Sequence, residues 1–394
     1  MFFQIHSSKI EIKIHSFGQV DKLLINFSYF REMKSELIYR LALTFVPGLG
    51  PATQRKIIKI AEPEELWSFS KKELTKLFKS KPDLISAFSS EKYLQMAEEE
   101  IAFCEKNGID ILSYQTADYP VKLKECIDSP LILYKKGNYD FGKKLHIGIV
   151  GTRQMTLYGK DFIEKFVDEL AAQNIAFVSG LAFGCDITAH RAAVKNQIPN
   201  VAVLATGLNR VSPAANKPVA EKIITNGALI SEYPSFQNPD TMNFVLRNRI
   251  ISGLCDAVIV VESAERGGAL FTAAYANSYN REVFAVPGRV ADKYSLGCNQ
   301  LIQTNQAYMI RSADDLLEYF NLKNKPKPRQ TELFIELEET EKLIYDYLKE
   351  NGKQQIDSLL IKLKIPVYQL NTSLLNLELK GLVKPLPGKF FELE

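Results

Sequence analysis

The chain has 394 residues, 46% of them hydrophobic and 24% charged, a balance that excludes a mainly disordered protein and leaves room for two or three domains. A formal net charge of +3 is too small to diagnose nucleic-acid binding, which depends on local positive surface rather than on the total. Five scattered cysteines without CxxC or Cys/His spacing argue against a disulfide framework and a structural zinc site, and no run approaches the ~20 apolar residues that span a bilayer.

Residues 1–35 alternate weakly between apolar and polar and are assigned as an extension, either an added β-hairpin or the product of a start placed upstream of Met33. The N-terminus lacks the compact apolar core of a signal peptide, so a reducing cytoplasm is the expected compartment. From Glu36 to about Ile127, apolar residues recur at spacings of three and four, and a small helical domain is drawn over 36–118. Within it VPGLGPATQRKII (46–58) has the look of a helix-hairpin-helix turn. Its backbone N–H groups, with Arg55 and Lys56 just beyond, suit either phosphate contact or plain packing.

Residues 119–320 alternate apolar strands with amphipathic helices. The strands predicted are HIGIVG, AFVSG, VAVLA, ALISE, AVIVVE, EVFAVPG and AYMI, and that alternation means a doubly wound, mostly parallel sheet covered by helices on both faces. Residues 321–335 open with NLKNKPKPRQ, rich in proline and lysine, and are read as a linker. In 336–394 three short helical patterns precede LVKPLPGKFFEL, two apolar segments around a Pro-Gly turn, which is the winged-helix plan.

Two apolar strands break into glycine where a helix should begin: IGIVGTR (147–153) and VSGLAFGCDITAHRAA (178–193). Such breaks place backbone N–H groups and positive helix ends at the carboxyl edge of a parallel sheet, where phosphates bind. Neither is a GxGxxG or a Walker loop, which removes the main support for a dinucleotide or NTP site. The predicted anion site therefore gathers Gly151, Thr152 and Arg153 from the first turn with Ser179, Gly180 and Gly184 from the second. An arginine paired with a carboxylate on the sheet edge is the plain structural alternative for Arg153. Asp186 is expected to cap the second helix. His190, four residues on, is expected to be a buried, hydrogen-bonded histidine, since no placed nucleophile or third metal ligand accompanies the pair.

The stretch 119–307 also carries, in order, YPVKLKECIDSPLILYKKG, IGIVGTR, VSGLAFGCDITAHRAA, VAVLATGL, LISEYP, FVLRNRIISGLCDAVIVVES, GGALFTAA, REVFAVPG and GCNQLI. In these motifs it closely resembles the DNA-processing protein A family, DprA or Smf. The resemblance implies a Rossmann-like core that binds and protects single-stranded DNA and helps load the RecA recombinase in natural transformation, often between a helical domain and a winged helix. It implies no enzymatic activity, cofactor or metal. A homodimer is expected, because two modest sites bridged by one strand gain avidity.

Further expected contacts are Arg247, Asn248 and Arg249, with one arginine facing the DNA and the other a carboxylate such as Glu232 or Glu262. Gly267, Gly268 and Thr272 open the next helix, where tight packing alone would account for Gly268. Two departures from the family pattern stand out: Pro199 replaces a lysine, for which Lys195 or Lys217 would compensate, and Ser212 with Pro213 replaces a Tyr-Pro pair. The winged helix is left between duplex DNA and protein contact, because residues 367–380 offer few groups that read bases. The rival expectation is a nucleotide-cleaving, phosphoribohydrolase-like enzyme. Its PGGxGT-like loop and following glutamate are matched here only by ERGGALFTAA, which has no acid at that spacing.

Overall fold

The computed structural model describes residues 36–79, 81–142, 144–322, 337–386 and 388–393. The expectations for 1–35 and for most of 321–335 lie outside the described residues. The chain divides into two compact units at Asn321/Leu322.

The first unit is built on a nine-stranded sheet: β1 (Asp110–Ser113), β2 (Ile132–Lys136), β3 (Leu145–Val150), β4 (Ile175–Ser179), β5 (Asn200–Val203), β6 (Ala228–Ser231), β7 (Ala257–Val260), β8 (Glu282–Ala285) and β9 (Tyr308–Met309). Their order across the sheet is β1-β2-β6-β5-β4-β3-β7-β8-β9. The seven strands β3 to β9 pair in parallel and coincide with the seven predicted. They are apolar throughout because helices cover both faces; Ile147, Val178, Val201 and Val258 are completely buried, each contributing about 1.5–3 kcal/mol of transfer free energy.

The chain leaves β3, winds outward through β4, β5 and β6, then returns to lay β7 against the other side of β3. That reversal opens a crevice between the loops after β3 and β7, the place where open α/β sheets bind ligands.

Two strands escaped the sequence reading. β1 and β2 pair antiparallel with each other, and β2 pairs antiparallel with β6. The boundary drawn at 118/119 therefore falls between two strands of one sheet, and the helical region does not stand apart. Helices 36–45, Pro51–Ile57, Pro63–Ser68, Lys71–Phe78, Pro82–Phe88 and Lys92–Asn107 pack around Leu41, Leu43, Leu66, Leu74 and Phe88. Polar ties then lock this layer to the sheet. Arg55 Nη2 donates to Tyr114 Oη at 2.8 Å, with its guanidinium 4.6 Å over the Tyr114 ring, and Nη1 bonds the Cys126 carbonyl. The carboxylate of Glu100 accepts from the Ser235 N–H at 2.8 Å and from its hydroxyl at 2.6 Å. Arg55 is thus a structural tie within the fold, whereas Lys56 stays exposed.

The second unit is a winged helix. Helices Glu339–Asn351, Ile356–Leu363 and Val367–Leu379 surround Ile344, Leu348, Leu359, Leu370 and Leu374. A small sheet of β10 (Gln354–Gln355), β12 (Phe390–Leu393) and β11 (Val383–Leu386) closes it, with β12 in the middle.

Candidate nucleic-acid interface

At the crevice between β3 and β7 lies an open cleft of about 390 Å³. From the loop after β3 come Gly151, Thr152, Arg153 and Gln154; from the loop after β7 and the first turn of helix Ala269–Ser278 come Ser263, Ala264, Gly267, Gly268, Ala269 and Thr272. The floor includes Asp186, Phe244, Arg247 and Asn248.

Arg153 is the exposed cation of this group, its guanidinium 5.6 Å from the centre of the Phe244 ring. Held over an aromatic face, it keeps its donors free for an oxyanion while the ring below remains half-exposed. The Thr152 side chain orders the turn by accepting from the Gln154 N–H at 3.1 Å, and its own N–H bonds the Glu262 carbonyl at 2.8 Å.

The second glycine turn does something else. Cys185 N–H bonds the Thr152 carbonyl at 3.2 Å, so a protein oxygen already occupies the start of helix Cys185–Lys195. Asp186 does not cap that helix. Its carboxylate accepts from the N–H groups of Gly180 (3.2 Å) and Ala182 (3.4 Å), folding the turn back on itself. Ser179 Oγ donates to the Ile149 carbonyl at 2.6 Å, deep in the sheet. Gly180 and Gly184 are needed for close packing: a Cβ on Gly180 would run into the Arg247 guanidinium, and one on Gly184, at φ +76, into the Thr152 carbonyl. Ser179, Gly180 and Gly184 shape the cleft from behind, and Asp186 reaches its floor with its carboxylate already bonded.

Gly151 and Gly267 are likewise constrained, by Cys185 Sγ and Ser263 Oγ. Gly268 is different. An added Cβ there would meet nothing within 4 Å, so packing does not explain this glycine, contrary to the sequence expectation. It opens the helix beside the cleft, where a missing side chain lets a ligand reach the backbone.

Both arginines of the RNR triplet are buried. Arg249 bonds the Asp128 carbonyl at 2.7 Å and pairs with Glu232, and is therefore the structural member. Glu262, the other carboxylate considered, instead accepts from the Thr156 N–H and hydroxyl. Arg247 reaches the cleft floor. Its Nη1 donates to the Gly180 carbonyl at 2.6 Å and bonds that of Val203, while its Nε has no hydrogen-bond partner. Burial lowers its pKa to about 10, opposed by Asp186, and burial pushes the Asp186 carboxyl up, opposed by Arg247. Arg247 thus holds a buried guanidinium under the cleft, in the field of the nearby Asp186 carboxyl.

His190 is fully buried with Nδ1 2.8 Å from Asn200 Oδ1, and burial lowers its pKa to about 4. Lys195 is not at the site. It sits in the last turn of helix Cys185–Lys195, next to Asp168 at 3.3 Å, and a helix following a parallel strand ends at the opposite sheet edge. Lys217 stays on the carboxyl edge, exposed, at the start of helix Lys217–Ile223. There the adjacent Asn216 donates to the Leu181 carbonyl at 2.8 Å, but Lys217 does not line the cleft.

Phe244 and Gln154 were not anticipated. Phe244 and Arg247 are three residues apart, Phe244 in helix Thr241–Leu246 and Arg247, with helical backbone angles, just after it, a spacing that would have put them on one face. No group of three or more potential metal ligands occurs among the described residues.

A doubly wound sheet with a glycine-bordered, arginine-bearing cleft at its switch point defines a protein of the Rossmann-like class. Residues 110–321 match the family described as DNA recombination-mediator protein A, and residues 326–389 match the DprA winged helix domain, so the chain belongs to the DprA/Smf family. It is 39% identical over 219 residues to DNA processing protein DprA of Bacillus subtilis, covering 55% of this chain and 73% of that one. It is 31% identical over 406 residues to Protein Smf of Synechocystis, covering 91% and 99%. The X-ray structure of DNA processing protein A from Streptococcus pneumoniae superposes with a TM-score of 0.63 at 32% identity, over 71% of this chain and 97% of that chain. A DNA processing protein A from Helicobacter pylori, described for its single-stranded DNA binding mode, gives 0.50 at 27% identity over 54% and 96%.

Proposed function

We propose that the chain binds single-stranded DNA along the carboxyl edge of its sheet without strong sequence preference, protects it, and presents it to the RecA recombinase during natural transformation. It acts as a cytoplasmic homodimer and without catalysing a reaction. The observation that carries this reading is Arg153, an exposed guanidinium stacked over Phe244 at the topological switch point. A cation beside an aromatic face is what a single strand needs, phosphate on one and base on the other. Family membership supports the mediator role, and the Helicobacter pylori relative supports the choice of single strands. The nucleotide-cleaving alternative finds one carboxylate among the cleft-lining residues, Asp186, already bonded to two backbone N–H groups.

The test is fluorescence anisotropy of labelled oligo-dT and its duplex across a salt series. Salt-dependent preference for the single strand, reduced in Arg153→Ala, is the expected result; equal affinity for both forms, or an indifferent variant, would contradict it. The mediator step is read separately, as faster RecA filament growth on strands coated with single-strand-binding protein.

A further inference from the structure

Two large aromatic side chains, each next in sequence to a cleft-lining residue (Ala182 and Thr272), form no ring pair among the described residues. Phe183 is 50% exposed and Phe271 54% exposed, a state in which a phenylalanine gains little from burial. Phe183 rides on the turn after β4. That turn is rigid: Leu181 and Gly184 hold positive φ, Asp186 clamps the N–H groups of Gly180 and Ala182, and Gly184 presses against Thr152 and Arg153. Phe271 lies in the first turn of helix Ala269–Ser278, next to Thr272, which lines the cleft, and its N–H bonds the Gly268 carbonyl at 3.3 Å.

The sheet order sets their spacing. β4 and β7 are the two neighbours of β3, so the segments that lead to Phe183 and Phe271 leave the sheet on opposite sides of the strand that leads to Arg153. Adjacent strands are about 4.8 Å apart, which puts the two flanking loops on the order of 10 Å apart. That span accommodates about three nucleotides at a stacked rise of ~3.4 Å.

We propose that Phe183 and Phe271 are stacking platforms for nucleobases, so that a single strand crosses three neighbouring strand ends with bases on the outer aromatics and a phosphate at Arg153. The assignment rests on the reading of the cleft as a single-stranded DNA site. Aromatics interleaved with a cation suit a nucleic acid, since every base has a π-face and sequence preference is then weak.

The experiment uses the full chain with Phe183→Ala, Phe271→Ala and the double variant, each checked for folding by urea unfolding. Anisotropy is measured with oligo-dT and with an abasic oligonucleotide of equal length over a salt series. Each single substitution is expected to weaken oligo-dT binding about ten-fold, to leave the log-log salt slope unchanged, and to leave abasic binding unchanged. Tryptophan at either position restores affinity. Because the native chain has one tryptophan, Trp67, the added indole of Phe183→Trp reports stacking directly by quenching on oligo-dT. Equal losses on both oligonucleotides, or no loss while the parent protein binds normally, overturn the platforms and leave the DNA reading intact. Loss of self-association or of RecA binding at unchanged DNA affinity overturns them in favour of a protein surface. Failure of the parent protein to bind oligo-dT removes the underlying reading itself.

Discussion

The carboxyl edge of the nine-stranded sheet and the third helix of the winged helix are both places where proteins commonly meet nucleic acid, and they are built in opposite ways. At the sheet edge, charge is held in place: Arg247 is buried under the cleft, bonded to the Gly180 and Val203 carbonyls, with Arg153 exposed above. Helix Val367–Leu379 carries a single charged residue, Glu378, and shows solvent Tyr368 (76% exposed), Leu375 and Leu379. Lys380 is engaged with Glu341 at 2.6 Å and Lys384 with Glu392 at 3.0 Å, while Lys362 and Lys364, just before the helix, are exposed. A helix in the recognition position that carries no cation of its own has the fold of a DNA reader with little of the charge that neutralises phosphates.

The strongest way to break this comparison is to remove the charge beneath the cleft. Arg247→Met removes two charge-assisted bonds to the buried Gly180 and Val203 carbonyls, and is expected to cost about 3–5 kcal/mol in urea unfolding. A loss under about 1 kcal/mol would mean that the buried arginine does not organise the edge.

Acid separates the two units next. Burial lowers His146 and His190 to about 4, while an unfolded histidine titrates near 6.5, so the unfolded chain takes up the proton first. Stability from these groups is complete above pH 6.5 and falls as the pH drops toward 4, by about 2 kcal/mol each at pH 5. Residues 337–394 contain no histidine. Calorimetry between pH 7 and 5 should therefore move the transition of the first unit and leave that of the winged helix in place.

Two glycines sharpen the contrast within the edge itself. Gly180→Ala drives a methyl group into the Arg247 guanidinium and should cost about 1–3 kcal/mol, whereas Gly268→Ala meets open space and should change stability by less than about 0.5 kcal/mol while weakening oligo-dT binding. The reverse ranking would show that the second turn, not the third, touches the ligand. Arg153→Ala should leave unfolding unaltered and reduce the log-log salt slope by about 0.7 for each phosphate it no longer neutralises. The smallest effect belongs to the winged helix, where Leu375→Ala with Leu379→Ala should leave both oligo-dT affinity and salt slope as they were. A changed slope would place DNA on that helix after all.

Much of this architecture was legible beforehand. β3 to β9 were readable because strands buried on both faces are unbroken apolar runs bounded by glycine and amphipathic helices. β1 and β2 were not: DILS is four residues long and follows directly on a helix, too short for a period of two to stand out from one of 3.6. The RNR triplet shows the same limit at the site. Its chemistry is visible in sequence, but which guanidinium faces the cleft depends on where Glu232 and Asp186 come to lie.

By itself, then, the amino-acid sequence determined the seven parallel strands, the helix-rich regions on either side, the winged-helix plan and the glycine-arginine turn that carries Arg153, because each is written in local periodicity and turn chemistry. Only the tertiary structure decided that Asp186 clamps a turn instead of capping a helix, that Lys195 falls at the far edge, that Arg55 ties two layers together, and that Phe244 lies beneath Arg153. Those roles depend on interactions between residues far apart in the chain. The order of strands β4-β3-β7, set by packing, is what brings them to one cleft.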